Sequence, residues 1–232
     1  MFSKSTKHAI VATVSIVTLF VVACTPAPPV HSTGTISTTS TTPTTTTTTA
    51  TTVIPAYPYL AVMGPPVVSA QEMADWFEHK TASHSPQGAA TVSIEVLAQL
   101  FLDEGRDEGV RGDIAFAQAM LETGWLRFST RMPKENNNFS GIGAVDTGTG
   151  SAKFPSARIG VRAQIQHLRA YADKYVTKAK LAHDLVDPRF DLVSPKGKAP
   201  NWSNFGNGIW ATDPGYAAKI KSLYDSLLTF DR

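Results

Sequence analysis

Between Asp113 and Gly124 almost every position is apolar, Ile114, Phe116, Met120 and Leu121 among them, so no face of that stretch is polar. A helix that is hydrophobic all round belongs inside a domain, with other helices packed about it. Asp113 predicts its N-cap and Gly124 the left-handed residue that ends it. Glu122 falls in the last turn, where a carboxylate loses solvation and faces the negative end of the helix dipole. Both effects favour the protonated form, the dipole by roughly 0.3–1 kcal/mol and partial burial by more. That is the environment of a general acid near neutral pH. The competing reading is a surface carboxylate on a fraying turn, or one paired with Arg127.

The helical period recurs on either side of this stretch. Ser69 and Glu72 have capping-box spacing ahead of Met73, Trp76 and Phe77, predicting a helix to about Thr81. Ile94, Val96, Leu97, Leu100 and Phe101 predict a second, ending at Gly105 or Gly109. From Arg131 the period disappears. Asn136–Ala144 is rich in turn formers, and the chain to Lys153 predicts a small hairpin or an irregular lobe. Helical spacing returns over Ala157–Tyr175, and Asp187-Pro188 breaks it. Residues 191–210 form a Pro- and Gly-containing connection carrying Trp202, Phe205 and Trp210. Asp213-Pro214 reads as cap and first-turn proline of a final helix through Tyr216, Ile220, Tyr224 and Leu227. Residues 69–232 thus predict these five helices and one irregular lobe in a single mainly α (α+β) domain.

The N-terminal part obeys other rules. Lys4, Lys7 and His8 precede an apolar run from Ala9 to Ala23, short for a spanning helix and fitting a secretion signal. Val21-Val22-Ala23-Cys24 resembles a bacterial lipobox, which implies a signal peptide over 1–23, cleavage before Cys24 and lipid on its sulfur; an ordinary signal or an uncleaved anchor is the other reading. The chain has 1 cysteine, so an exported domain would be held by its core alone. Residues 24–68 read as a tether: His31–Thr52 is mostly Thr, too polar to repay the entropy of ordering, and Pro55, Pro58, Pro65 and Pro66 stiffen the approach to the domain. The net charge of +2 arises from 21 Lys and Arg against 19 Asp and Glu, and removing Lys4 and Lys7 balances the signs. Nucleic-acid binding lacks its electrostatic footprint.

A family likeness emerges from the ordered motifs. Ala119-Met120-Leu121-Glu122-Thr123-Gly124-Trp125, then Asn137-Asn138-Phe139-Ser140-Gly141-Ile142-Gly143, resemble the bacterial glucosaminidase domain of cell-wall hydrolases, of the glycoside hydrolase family 73 type. The likeness continues through Phe154-Pro155, Gly160–Leu168, Ala199–Trp202 and Trp210–Ile220. It implies a lysozyme-like fold: a helical lobe, a small irregular or β lobe, and a glycan groove between them. It also implies cleavage of the β-1,4 bond between N-acetylglucosamine and N-acetylmuramic acid in peptidoglycan, with Glu122 protonating the leaving oxygen.

In such a groove Trp202, Trp210 and Tyr216 are candidates to stack on sugars. Asn138 is a candidate to bind an acetamido group or to position the loop beside Glu122. Many family members carry Tyr at the place of Trp210. For the second catalytic group, Asp146 is the best-placed acid after the Gly141–Ala144 turn, and a substrate-assisted route would need none. No cofactor or metal is implied, and His167, outside any His-Glu-x-x-His cluster, reads as packing or capping. The expected partners are peptidoglycan strands and, through Cys24, the membrane, which places the chain in the bacterial envelope outside the cytoplasm. A lytic transglycosylase or muramidase would use the same fold and acid, and a peptidoglycan-binding lipoprotein without catalysis is the reading from a different class.

Overall fold

The computed structural model describes residues 60–83, 90–143 and 150–230. Cys24, the signal-like run, residues 24–59 and Asp146 lie outside these residues. Among the described residues there are five α-helices: α1 (Ala70–Thr81), α2 (Ile94–Glu108), α3 (Gly112–Thr123), α4 (Ala157–Ala172) and α5 (Tyr216–Leu228). Residues 60–230 keep α3 at the centre, where every residue from Gly112 to Met120 is buried. Helix α2 lies against α1, α3 and α4, while α5 closes the far side of α3. Phe101 of α2 meets Phe116 of α3 edge-on at 5.6 Å, and Trp76 of α1 stacks obliquely on Trp125 at 4.9 Å.

Local chemistry explains most boundaries. The capping box at α1 is complete: the Glu72 amide donates to the Ser69 hydroxyl at 3.2 Å and the Ser69 amide to the Glu72 carboxylate at 2.8 Å. Gly109, left-handed at φ 70°, ends α2. Helix α4 stops at Ala172, short of the expected Tyr175. Asp173 there leaves helical geometry and its carboxylate accepts from the Tyr175 amide.

Several expectations are corrected. Asp113 lies inside the first turn of α3 and is fully buried; Arg111 takes the cap position without a side-chain cap bond. The Asp113 carboxylate instead accepts from Tyr224 at 2.8 Å, the Val67 amide at 2.9 Å and Arg111 at 3.1 Å. It ties α3, α5 and the chain before α1 together. Asp213 likewise caps only the Gly215 amide, and α5 starts at Tyr216. The 173–215 connection carries three short 3-10 turns.

The 60–68 segment, read as tether from its prolines, belongs to the domain. Leu60, Val62 and Val68 are buried. Amides and carbonyls of Leu60–Gly64 pair with Pro200, Trp202, Gly109 and Arg111, forming isolated bridges Ala61–Asn201 and Met63–Val110. Alternation of buried Leu60 and Val62 with less buried Ala61 and Met63 is the strand-like signal that marks it. Among the described residues of the small lobe no strand forms. Its Asn- and Gly-rich sequence gives a 3-10 turn at Lys134–Asn136 and isolated amide bonds from Ala152 to Ile142 and from Phe154 to Asn136.

Candidate active site

Glu122 is presented by an unusual helix end. Gly124 takes the left-handed conformation at φ 59°, and Trp125, Leu126 and Phe128 beyond it also have positive φ. Side chains of this size rarely adopt that region. Thr123 holds the turn: its hydroxyl donates to Ala119 O at 2.7 Å and accepts from the Leu126 amide at 2.9 Å. The Glu-Thr-Gly sequence is therefore a structural unit, with Thr123 and Gly124 fixing the direction of the last turn that carries Glu122.

The carboxylate is partly buried, and its two oxygens have different surroundings. Oε1 accepts from the Trp210 indole N–H at 2.9 Å and from the Tyr216 hydroxyl. Oε2 faces Gly141, where a Cβ would sit 3.6 Å away. Burial pushes the Glu122 pKa up; the bonds from Tyr216 and Trp210 oppose it without reversing the direction. Since Oε1 already receives two protons in hydrogen bonds, the acid's own proton belongs on Oε2, toward Gly141.

The Tyr216 hydroxyl is oriented from behind by a buried amide relay. Gln164 of α4 donates to Gln118 Oε1 at 2.9 Å, and Gln118 Nε2 donates to Tyr216 at 2.9 Å. Having accepted from Gln118, the hydroxyl turns its one proton to Glu122. Burial and the neighbouring carboxylate raise the Tyr216 pKa well above that of an ordinary tyrosine, keeping it a donor. Sequence reading missed Gln118 and Gln164; their signal is a polar residue at a wholly buried position of an apolar helix face.

Trp210 stands on a tight loop at φ 65°, pinned by paired amides and carbonyls of Gly206, Gly208, Ile209 and Ala211. Its ring also contacts His167 and Tyr171, centroids at 5.1 and 5.9 Å. A cavity of about 140 Å³ opens beside it, walled by Ser140, Gly141, His167, Tyr171, Arg189 and Trp210. His167 is buried with Nδ1 2.7 Å from Asp187 Oδ2, which agrees with a packed histidine.

The predicted binding residues divide. Trp210 and Tyr216 meet at Glu122, but Tyr216 is buried and holds the acid, so it offers no face to a sugar. Trp202 has 0% exposure and packs on Phe205 at 5.4 Å, which rules out stacking on a glycan. Its place next to the Asn201 capping turn and under Leu60 makes it core. Asn138, also fully buried, donates to Ile142 O at 2.8 Å and Ala152 O at 3.0 Å while accepting from the Ser140 amide. With every group of its side chain engaged, it braces the Gly141 turn and has nothing left for an acetamido group. Glu104, Asp107 and His183 bring possible metal-ligand atoms within 4.8 Å of one another. The Glu104 oxygens, however, are held by the Arg158 and Arg162 guanidiniums, and the His183 ring nitrogen lies 2.9 Å from Asp107, so these atoms already have partners within the protein.

Comparison with known proteins completes the picture. The family described as mannosyl-glycoprotein endo-beta-N-acetylglucosaminidase matches residues 98–229. An uncharacterized protein of Borreliella burgdorferi is 41% identical over 138 residues, covering 60% of this chain and 65% of the relative. The chain thus spans a little under two thirds of that protein's length. Among solved structures, S. aureus autolysin E in complex with the muropeptide NAM-L-Ala-D-iGlu is 19% identical with a TM-score of 0.44, over 73% of this chain and 70% of that one. A peptidoglycan hydrolase from Sphingomonas sp. A1 is 20% identical with a TM-score of 0.32, over 58% and 92%.

Proposed function

Because the chain belongs to the mannosyl-glycoprotein endo-beta-N-acetylglucosaminidase family, we propose that it is a peptidoglycan glycosidase cleaving the β-1,4 bond between N-acetylglucosamine and N-acetylmuramic acid. The observation that carries this reading is Glu122: a carboxyl with raised pKa, one oxygen clamped by Trp210 and Tyr216, the other turned to Gly141. A glycosidic oxygen delivered to the Oε2 side would receive the proton as the sugar acquires oxocarbenium character. Trp210 and Tyr216 then hold the carboxylate left behind, so the donors that keep the acid in place also stabilise its product. Trp210 in addition offers its half-buried ring to the substrate.

The proposal extends to location. The lipobox-like Val21–Cys24 and the Thr-rich stretch behind it support a chain anchored by lipid on Cys24 and working on the wall outside the cytoplasm. The test of activity is mass spectrometry of peptidoglycan digested by the purified full chain. Fragments ending in reducing N-acetylglucosamine are expected, and Glu122→Gln should lower their release by about 10²–10⁴-fold with the fold intact. Anhydromuramyl or reducing muramic acid ends would overturn the bond assignment, and unchanged glycan would overturn the activity.

A further inference from the structure

The cavity beside Glu122 holds a charge that no described residue pairs with. Arg189 lines it half-buried, and among the described residues its guanidinium has no ion pair, hydrogen bond or ring partner. Asp187, two residues earlier, makes no ion pair with it. One Asp187 oxygen faces His167 Nδ1 and the other accepts the backbone N–H of Arg189 itself at 2.8 Å. A half-buried guanidinium with no direct partner is under-satisfied unless a ligand supplies one. A second feature points the same way. Ser140 is 4% exposed and lines the same cavity, and its hydroxyl lacks a partner, whereas buried polar groups are nearly always satisfied. Both groups can donate hydrogen bonds, and both line the one small cavity.

We infer that Arg189, with Ser140, forms a subsite for a carboxylate carried by the glycan, next to the scissile bond at Glu122. Resting on the glycosidase reading, it specifies which glycan is preferred: one bearing an acid close to the cleaved bond. Guanidinium and carboxylate match in geometry, and the pair is stronger than a neutral contact. In peptidoglycan a carboxylate has two sources near that bond, the free lactyl group of a muramic acid stripped of peptide, or the first acidic residue of an attached peptide.

The test is calorimetric binding to the full-length chain, which needs no turnover. Three probes separate the cases: N-acetylmuramic acid, its lactyl methyl ester, and N-acetylmuramyl-L-Ala-D-isoGlu. At least one acidic probe should bind about tenfold more tightly than the ester. Arg189→Gln should remove the difference and Arg189→Lys should retain part of it. A preference for the free acid identifies the lactyl group, and a preference for the dipeptide alone identifies the peptide. Equal affinity for all three, or a preference that survives in Arg189→Gln, overturns the subsite. Carboxylate-selective binding by a chain that leaves peptidoglycan uncut would sink the hydrolase reading while retaining the subsite. Turnover without discrimination would do the reverse. Among the described residues the Arg189 guanidinium has no partner to lose, so unchanged thermal unfolding of both variants is the accompanying control.

Discussion

Two opposed influences set the proton on Glu122, and each can be removed separately. Burial favours the neutral acid, while donation from Tyr216 and Trp210 favours the anion. Tyr216→Phe deletes one donor, so the Glu122 pKa should climb further. The alkaline limb of kcat/KM should move to higher pH, with kcat falling about tenfold as the acid loses part of its clamp. That is less than the roughly 10²–10³-fold that removing an oxyanion-hole donor costs, because Trp210 remains. A limb that stays put or moves down would show that Tyr216 does not act on Glu122. The same raised pKa has a thermodynamic sign. The folded chain binds this proton more tightly than the unfolded one, so the contribution to stability is full below the usual carboxylate range and is lost as pH rises through the folded value. Glu122→Gln should therefore melt with wild type at acid pH and above it at neutral pH, each kcal/mol being worth roughly 2–4 °C. Coincident melts at neutral pH would contradict the raised pKa.

Between elements, the site depends on how closely α4 approaches the turn that faces Glu122. A Cβ at Gly160 would lie 1.7 Å from the Asn137 carbonyl oxygen, a backbone atom with no freedom to swing away. Glycine there lets α4 seat directly on residues 137–141, which Asn138 then braces. Gly160→Ala should cost about 1–3 kcal/mol or more in denaturant unfolding, as overpacking does, and should lower turnover by displacing Gly141. Gly150→Ala, with open space around it, is the control and should change stability by less than about 0.5 kcal/mol. If both substitutions proved equally harmless, the close packing would not be what positions the turn. This layer is partly legible in the sequence. Helix periods, the Ser69 capping box and the Gly124 terminus depend on neighbours a few residues away, and the structure keeps them where the pattern puts them. Asp113, Trp202 and Tyr216 escape such a reading because their partners stand far along the chain: Tyr224, Leu60 and Gln118. An Asp before an apolar run looks the same whether it caps a helix or anchors a buried arginine and tyrosine.

For the whole molecule the boundary of the domain decides what its N-terminal stretch can do. The chain is pinned from Leu60 onward, where Val62 bonds to Pro200 and Arg111 and the Val67 amide reaches Asp113. Prolines conceal that boundary, since Pro65 and Pro66 suit a spacer as well as the irregular lead into α1. Any tether is therefore the stretch after Cys24 and before Leu60, with a reach of no more than roughly 120 Å when fully extended at about 3.4 Å per residue. That length matters only if Cys24 is held at a membrane. Stable anchoring requires more than one acyl chain or a second attraction, and the balanced charge of the chain after Cys24 offers no basic patch in bulk to supply one. Retention should thus depend on the cysteine almost entirely. In a bacterial host that processes lipoproteins, the wild-type chain should partition into the detergent phase and Cys24→Ser into the aqueous phase. Turnover on isolated peptidoglycan should be the same for both, because residue 24 precedes the pinned domain. Equal partitioning of the two chains would remove the lipid from the account and leave the Thr-rich stretch without an anchored end.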